Sequence, residues 1–280
     1  MLPPSKIGIF FWTWKQTFQS LRKPVTLLPF AGYAAMQLLL LAGLFFFTYP
    51  PFSFIFMPLQ RAMYGEITLH YPNNYIVMPQ MFETLNIVLS GVLGIWVIGR
   101  ATMLLFNSDE AKREKLVVKP IGQRYFHLFG AWFGETLLAL LVIAGFTWLS
   151  GKMPSASTYL NTIRVFGVVG VSAIFAFTTA LILIEEKPFW MALPQSVKMF
   201  ASYALVTFFL VGLPTIVQLP IQFLLSNSVK IVRKLNPEVI TLVIATGVFL
   251  AMLSNYFIVG TVTHLYRGIC REAKAALSPR

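Results

Sequence analysis

The sequence predicts an all-α fold, a polytopic transmembrane helix bundle of about six spans with amphipathic interfacial helices on the cytoplasmic side. Three observations carry that prediction. The 280 residues are 57% hydrophobic and only 11% charged, where a soluble domain carries about 25% charged residues. Six stretches are long and apolar enough to span a bilayer, which takes about 20 mainly apolar residues. The Lys and Arg residues, finally, are unevenly shared between alternate connections.

The chain reads as a single transmembrane domain over 1–280, with an interfacial helix at 1–24, the bundle at 25–266 and a cytoplasmic tail at 267–280. In the first segment Ile7, Phe10, Phe11, Trp14, Phe18 and Leu21 recur at three- and four-residue steps, with Lys15, Gln16, Gln19, Arg22 and Lys23 between them. That pattern suits a helix lying in the headgroup plane before a turn at Pro24. Lys6 precedes only a short aromatic stretch broken by Lys15, with no small-residue cleavage site. Insertion without processing is therefore expected.

The expected spans are Val25–Phe47, Leu85–Phe106, Tyr125–Leu149, Val165–Ile184, Tyr203–Leu225 and Val239–Thr263. They must be helices, because a bilayer offers stray backbone groups no hydrogen bonds. The connection from Thr48 to Glu83 contains Pro50, Pro51, Pro58, Pro72 and Pro79, which argues against another span. It reads either as a flap or short helix on the outer leaflet or as an ordered loop. Two further surface helices are expected, one before the fifth span (Phe189, Trp190, Leu193, Val197 and Phe200, with Lys198 opposite) and one over Leu116–His127. Together these suggest a surface helix and a two-helix hairpin used three times.

Sixteen of the 22 Lys and Arg residues fall in the N-terminal segment, the second and fourth connections and the tail. The positive-inside rule then places both termini in the cytoplasm. Arg233 and its two neighbouring cations run against it. Tyr125, Tyr203 and Tyr266 are expected as inner interfacial anchors, and Tyr49 and Trp148 as outer ones.

The net charge of +12 would suggest nucleic acid in a soluble protein. Here the basic residues lie between apolar runs, so anionic lipid headgroups are the expected partner; Phe11, Trp14, Lys15, Phe18, Arg22, Trp190 and Lys198 are the expected interfacial anchoring residues. A membrane-protein partner is also compatible, and the sequence does not fix an oligomeric state. One cysteine, Cys270, and three scattered histidines, His70, His127 and His264, give no metal-ligand spacing. No cofactor is expected.

Charges inside a span mark structural or functional partners, and Arg100 and Glu135 qualify. They are expected to pair across adjacent antiparallel helices, either pinning the hairpin or making Glu135 a proton or cation site. Gly130 and Gly134 give a G-x-x-x-G step, which lets helices approach closely. Pro214 and Pro220 are expected to kink the fifth span. Gln218, Gln222 and Asn255 would then line a polar cavity, as broken helices do in transporters. Glu185 and Glu186, beside Lys187, read as a water-exposed hinge, and Asp109, Glu110 and Glu114 as a solvated face. No catalytic residue stands out: the phosphate-loop, zinc-protease and nucleophile-elbow patterns are all missing.

The phrase Ala192-Leu193-Pro194-Gln195-Ser196-Val197-Lys198, the last span ending His264-Leu265-Tyr266-Arg267, and the amphipathic first helix together resemble a group of bacterial six-helix membrane proteins. That group includes the membrane domain fused to some glycerophosphodiester phosphodiesterases and related uncharacterised families. The resemblance implies a bacterial inner membrane and carries over no catalytic residues. The sequence thus supports a non-enzymatic envelope protein that binds a partner protein or lipid. The alternative is a small-molecule or lipid transporter using the proline-broken fifth span, with an intramembrane enzyme third.

Overall fold

The computed structural model describes residues 5–107, 121–153 and 156–277. Its helices in chain order are α1 Lys6–Leu21, α2 Pro24–Phe45, α3 Ser53–Tyr64, α4 Asn73–Leu89, α5 Ile95–Asn107, α6 Ile121–Lys152, α7 Ser157–Phe175, α8 Thr178–Ile184, α9 Phe189–Ile216, α10 Leu219–Ser226, α11 Ser228–Lys234 and α12 Val239–Leu277. No strand occurs among the described residues. Six helical stretches are long and apolar enough to cross a membrane: Pro24–Phe45, Asn73–Asn107, Ile121–Lys152, Tyr159–Ile184, Phe189–Ile216 and Val239–Glu272. The protein is a multi-pass, all-α membrane protein.

Several boundaries moved, each for a local reason. The second span begins at Asn73 rather than Leu85, with α4 joined to α5 through a π turn at Ser90–Gly94. Its first turns carry Asn73, Asn74, Gln80 and Glu83, polar residues that mask a helix from a hydropathy reading. The proline-rich connection is short helix rather than loop, with Pro58 inside α3 and a 3₁₀ turn at Glu66–Leu69. The fifth span runs over Phe189–Ile216 instead of Tyr203–Leu225, so the expected surface helix belongs to α9. A kink at Tyr203, with φ −123° and ψ 26°, marks the expected junction. Pro220 explains why α9 stops: its ring crowds the carbonyl four residues back, Ile216, and it supplies no amide. Pro214 sits within the last turn of α9, and Pro220 opens α10.

The expected tail from residue 267 continues α12 to Leu277. Of the expected threefold repeat, α1 is a helix apart. The Leu116–His127 segment and the acidic cluster at Asp109, Glu110 and Glu114 fall wholly or partly outside the described residues, while Ile121–His127 forms the start of α6.

The chain divides into two compact units. The first comprises Met1–Pro29, Ile95–Thr215 and Asn255–Arg280; the second comprises Phe30–Gly94 and Ile216–Ser254. The core of the first gathers Phe177, Leu181 and Ile182 with Leu210, Leu265 and Tyr266. The second closes around Leu41, Leu44, Phe47, Tyr75, Met81 and Ile244.

Candidate functional site

The first unit holds two polar features that the sequence does not place together. One is a hub at Glu185, the residue that ends α8. Its carboxylate accepts a hydrogen bond from the Tyr266 hydroxyl at 2.6 Å and pairs with Lys187 Nζ at 2.6 Å, while Gln195 Nε2 donates to it at 3.4 Å. Lys187 also donates to the Gln195 side-chain carbonyl. Burial by itself would push the Glu185 carboxyl up, but Lys187, Tyr266 and Gln195 outweigh it and hold the group below the usual carboxylate range.

Local geometry sets up this hub. Glu186 takes the left-handed conformation, φ 55°, just past the helix end, a position usually given to glycine. The Lys187 amide returns to the Leu181 carbonyl at 3.3 Å, and Arg124 on α6 pairs with Glu186 at 3.1 Å. Two turns into α9, Ser196 donates to the Ile174 carbonyl at 2.6 Å. Glu185 and Glu186 are exposed, as expected, and the segment they form is also a latch joining α8, α9 and α12 through the donors on Glu185. Gln195 and Tyr266, 71 residues apart in the chain, meet on one carboxylate.

The other feature is the elbow between α1 and α2. Ser20 Oγ lies 3.0 Å from His264 Nε2 and donates to the Gln16 carbonyl at 3.0 Å. A hydroxyl has one proton, so with Ser20 donating to Gln16, His264 presents Nε2–H to it. Thr26 Oγ1 lies within 3.0 Å of the Ser20 and Lys23 carbonyls and 3.2 Å from the Tyr256 hydroxyl. A Cβ placed on Gly260 would fall 2.5 Å from Thr17 Cγ2, so α1 and α12 are in close backbone approach there. The buried face of α1 is Ile9, Thr13, Thr17 and Ser20, while Phe11 and Phe18 are more than half exposed. The expected stripe is divided: Ile7 and Phe11 are exposed, Phe10 and Trp14 pack against the core of the unit, and the Trp14 and Phe18 rings meet Phe257 at 5.2 and 5.0 Å. The Thr13-x-x-x-Thr17 step is a small-residue spacing, the one signal in the sequence that could have found this seam.

Beside the elbow lies a groove of about 520 Å³, walled by Arg22, Lys23, Val25, Met103, Leu104 and Asn107 among others. Pro24 opens one candidate span and Asn107 closes another, so the groove sits at span ends, where headgroups lie. The pinned elbow holds its two cations over apolar walls.

The remaining sequence-predicted residues fall as follows. Arg100 is exposed on α5, and no ion pair joins it to Glu135 among the described residues; the Glu135 carboxyl instead has the Ser172 hydroxyl of α7 as its hydrogen-bonding neighbour. The reason is register: Gly99 and Thr102 supply the buried face of α5, and Arg100 points off it. Gly130 and Gly134 receive the rings of Phe189 and Phe175, an internal seam. Gln218 is half-buried and Gln222 exposed, both in the second unit, whereas Asn255 is half-buried in the first. Lys15, Trp190 and Lys198 are exposed, with Trp190 edge-on to His127 at 5.2 Å. Tyr266, expected as an interfacial anchor, is fully buried because its hydroxyl serves Glu185. No group of three or more His, Cys, Asp or Glu side chains is placed to hold a metal among the described residues. Compared with protein-family models, curated proteins and solved structures, the chain matches none.

Proposed function

We propose that this membrane protein is a non-enzymatic component of the bacterial inner membrane that binds anionic phospholipid at the α1–α2 elbow, with both termini cytoplasmic. The observation that carries the reading is the groove: Arg22 and Lys23 line it together with Met103, Leu104 and Val25, at the ends of two candidate spans. A phosphate would meet the cations while acyl carbon covers the apolar wall. Phe11 and Phe18 on α1 and Leu28 on α2 are also exposed and apolar. The charge asymmetry and the resemblance to phosphodiesterase-associated membrane domains support the compartment and orientation.

Each Lys or Arg near an anionic surface is worth about 1 kcal/mol, so losing both corresponds to roughly a 30-fold weaker preference. The test reconstitutes the full chain in nanodiscs and measures lipid retention by native mass spectrometry. Phosphatidylglycerol should be retained over phosphatidylcholine, and Arg22→Gln with Lys23→Gln should erase most of that preference. Equal retention of both lipids by the unmodified protein would sink the proposal.

The transport alternative draws on one observation, the helix break between Ile216 and Leu219, which leaves Gln218 between α9 and α10. A transporter would lose substrate flux in liposomes with Gln218→Leu while keeping its lipid preference.

A further inference from the structure

The second unit contains a cavity of different chemistry, where the first span gives way to the proline-rich connection. It measures about 330 Å³, and six of its nine lining residues are aromatic. Five of these rings form an unbroken chain. Tyr49 meets Phe46 at 6.4 Å and 70°, Phe46 meets Phe45 at 4.9 Å and 89°, Phe45 meets Tyr75 at 6.2 Å and 68°, and Tyr75 meets Tyr71 at 6.0 Å and 84°. All four contacts are edge-to-face, the arrangement aromatic quadrupoles favour. Tyr75 is buried at the floor, while Tyr49 and Tyr71 are each 66% exposed at the rim.

Asn74 lines the same cavity, and its Oδ1 is buried without a hydrogen-bond partner among the described residues. An unpaired buried acceptor is costly, so the site gains from any ligand that brings an N–H. The electrostatics select the sign of that ligand. Helix α2 ends at Phe45 on the cavity wall, and the C-terminal end of a helix favours a cation. The first amides of α4, which would otherwise favour an anion, are engaged: Asn74 N–H donates to His70 at 3.2 Å and Tyr75 N–H to Pro72 at 3.1 Å. Glu238 lies near enough for its charge to act on the Tyr75 hydroxyl.

From these features we infer that the cavity binds a primary alkylammonium group, the chemistry of an ethanolamine headgroup or of a small free amine. Aromatic faces attract organic cations. A quaternary ammonium would fit the rings but leave Asn74 unpaired. A hard metal ion needs a shell of oxygen ligands, which one amide does not supply.

The test uses the full chain in nanodiscs and has two arms. In the first, retention of phosphatidylethanolamine is compared with that of phosphatidylcholine by native mass spectrometry. In the second, ethylammonium chloride is titrated against the protein by saturation-transfer NMR and then tested for displacing the retained lipid. A preference of about tenfold for the primary amine is expected, the size of one hydrogen bond to a charged donor. Asn74→Leu should bring the two lipids to near equality. Tyr49→Ala and Tyr71→Ala, at the exposed rim, should weaken both. Saturation transfer to ethylammonium with displacement of the lipid assigns the ammonium group itself as the ligand. Retention of phosphatidylethanolamine with no response to ethylammonium assigns the whole headgroup, and either result supports the site. Equal retention of the two lipids by the unmodified protein, a preference for the choline lipid, or a preference untouched by Asn74→Leu and by both tyrosine variants would overturn it. Arg22→Gln with Lys23→Gln serves as the control: it should leave this preference intact, so a failure here is distinguishable from a failure of the anionic-lipid reading.

Discussion

The two units bury their polar groups in different ways. The first threads hydroxyls, an imidazole and a carboxylate through its packing: Ser20 against His264, Thr26 against Tyr256, and Tyr266 with Gln195 and Lys187 on Glu185. In the second, side chains of aliphatic, aromatic and Met residues fill the core. Its shortest side-chain pair inside the spans is Gln37 to Asn86 at 2.7 Å, with Tyr33 joining at 3.4 Å. Directional bonds fix one arrangement, whereas apolar packing tolerates small shifts provided volume is kept. The first unit is therefore expected to be the more exacting toward substitution, and the second the more forgiving.

A matched pair of glycines tests this most severely. In the first unit a Cβ on Gly260 would fall 2.5 Å from Thr17 Cγ2; in the second, one on Gly43 would fall 2.6 Å from Phe56 Cε2. The clashes are nearly equal on paper. Thr17, however, is held by its hydroxyl, which donates to the Thr13 carbonyl at 2.9 Å, and it is fully buried. The Phe56 atom is the far edge of a ring that swings about two torsions. Gly260→Ala should cost about 3 kcal/mol and Gly43→Ala about 1 kcal/mol, the ends of the usual overpacking range. Thermal unfolding in detergent reads the difference, and equal losses would remove the distinction between the units.

The same contrast explains what could be seen in the sequence. Six spans were legible because a long apolar run has one outcome in a bilayer. The helix break before Pro220 is legible because a missing amide acts locally, whereas Pro214 stays inside α9 and the kink of that helix falls at Tyr203. The Glu185 hub was not, since Tyr266 lies 81 residues away from it, and no local pattern announces a tertiary partner. Arg100 and Glu135 misled for the opposite reason: two charges at similar depth invite pairing, but helix rotation turned Arg100 outward and gave Glu135 to Ser172. The α1 seam was half legible, through the Thr13 and Thr17 spacing. Its aromatic stripe draws attention to a face that is only half-buried.

A smaller effect separates the units by pH. The Glu185 carboxyl lies below its unfolded value, so its stabilisation is complete above the ordinary carboxylate range, about pH 4.3. It is lost as the pH falls through the lower, folded value. Between pH 7 and pH 3, hydrogen exchange corrected for intrinsic rates should accelerate over residues 181–196 more than over 75–81 in the second unit. Tyr266→Phe should mimic part of this at neutral pH, since a hydrogen bond to a charged group is worth about 1.5–3 kcal/mol and Glu185, about one-third exposed, recovers some of it from water. Maleimide labelling of Cys270, one turn along α12, should quicken in that variant. Unchanged labelling would mean the latch contributes little to holding α12.

The smallest expected difference concerns the surface ion pairs. Arg61 and Glu66 in the second unit lie 2.9 Å apart with both side chains more than half exposed, so Glu66→Gln should change stability by less than about 0.5 kcal/mol. Arg124 and Glu186 in the first unit, at 3.1 Å, are better shielded, which by itself predicts a larger loss for Glu186→Gly. Glu186 also occupies the left-handed region at φ 55°, where glycine relieves about 1 kcal/mol of strain. The two terms oppose each other, and Glu186→Gly should come out near neutral in thermal unfolding. Glu186→Ala separates them, because it removes the pair while keeping the strain. It should be the least stable of the three by about 0.5–1 kcal/mol. If Glu186→Ala and Glu186→Gly unfold together, backbone strain at the end of α8 is not what sets the geometry of the Glu185 hub.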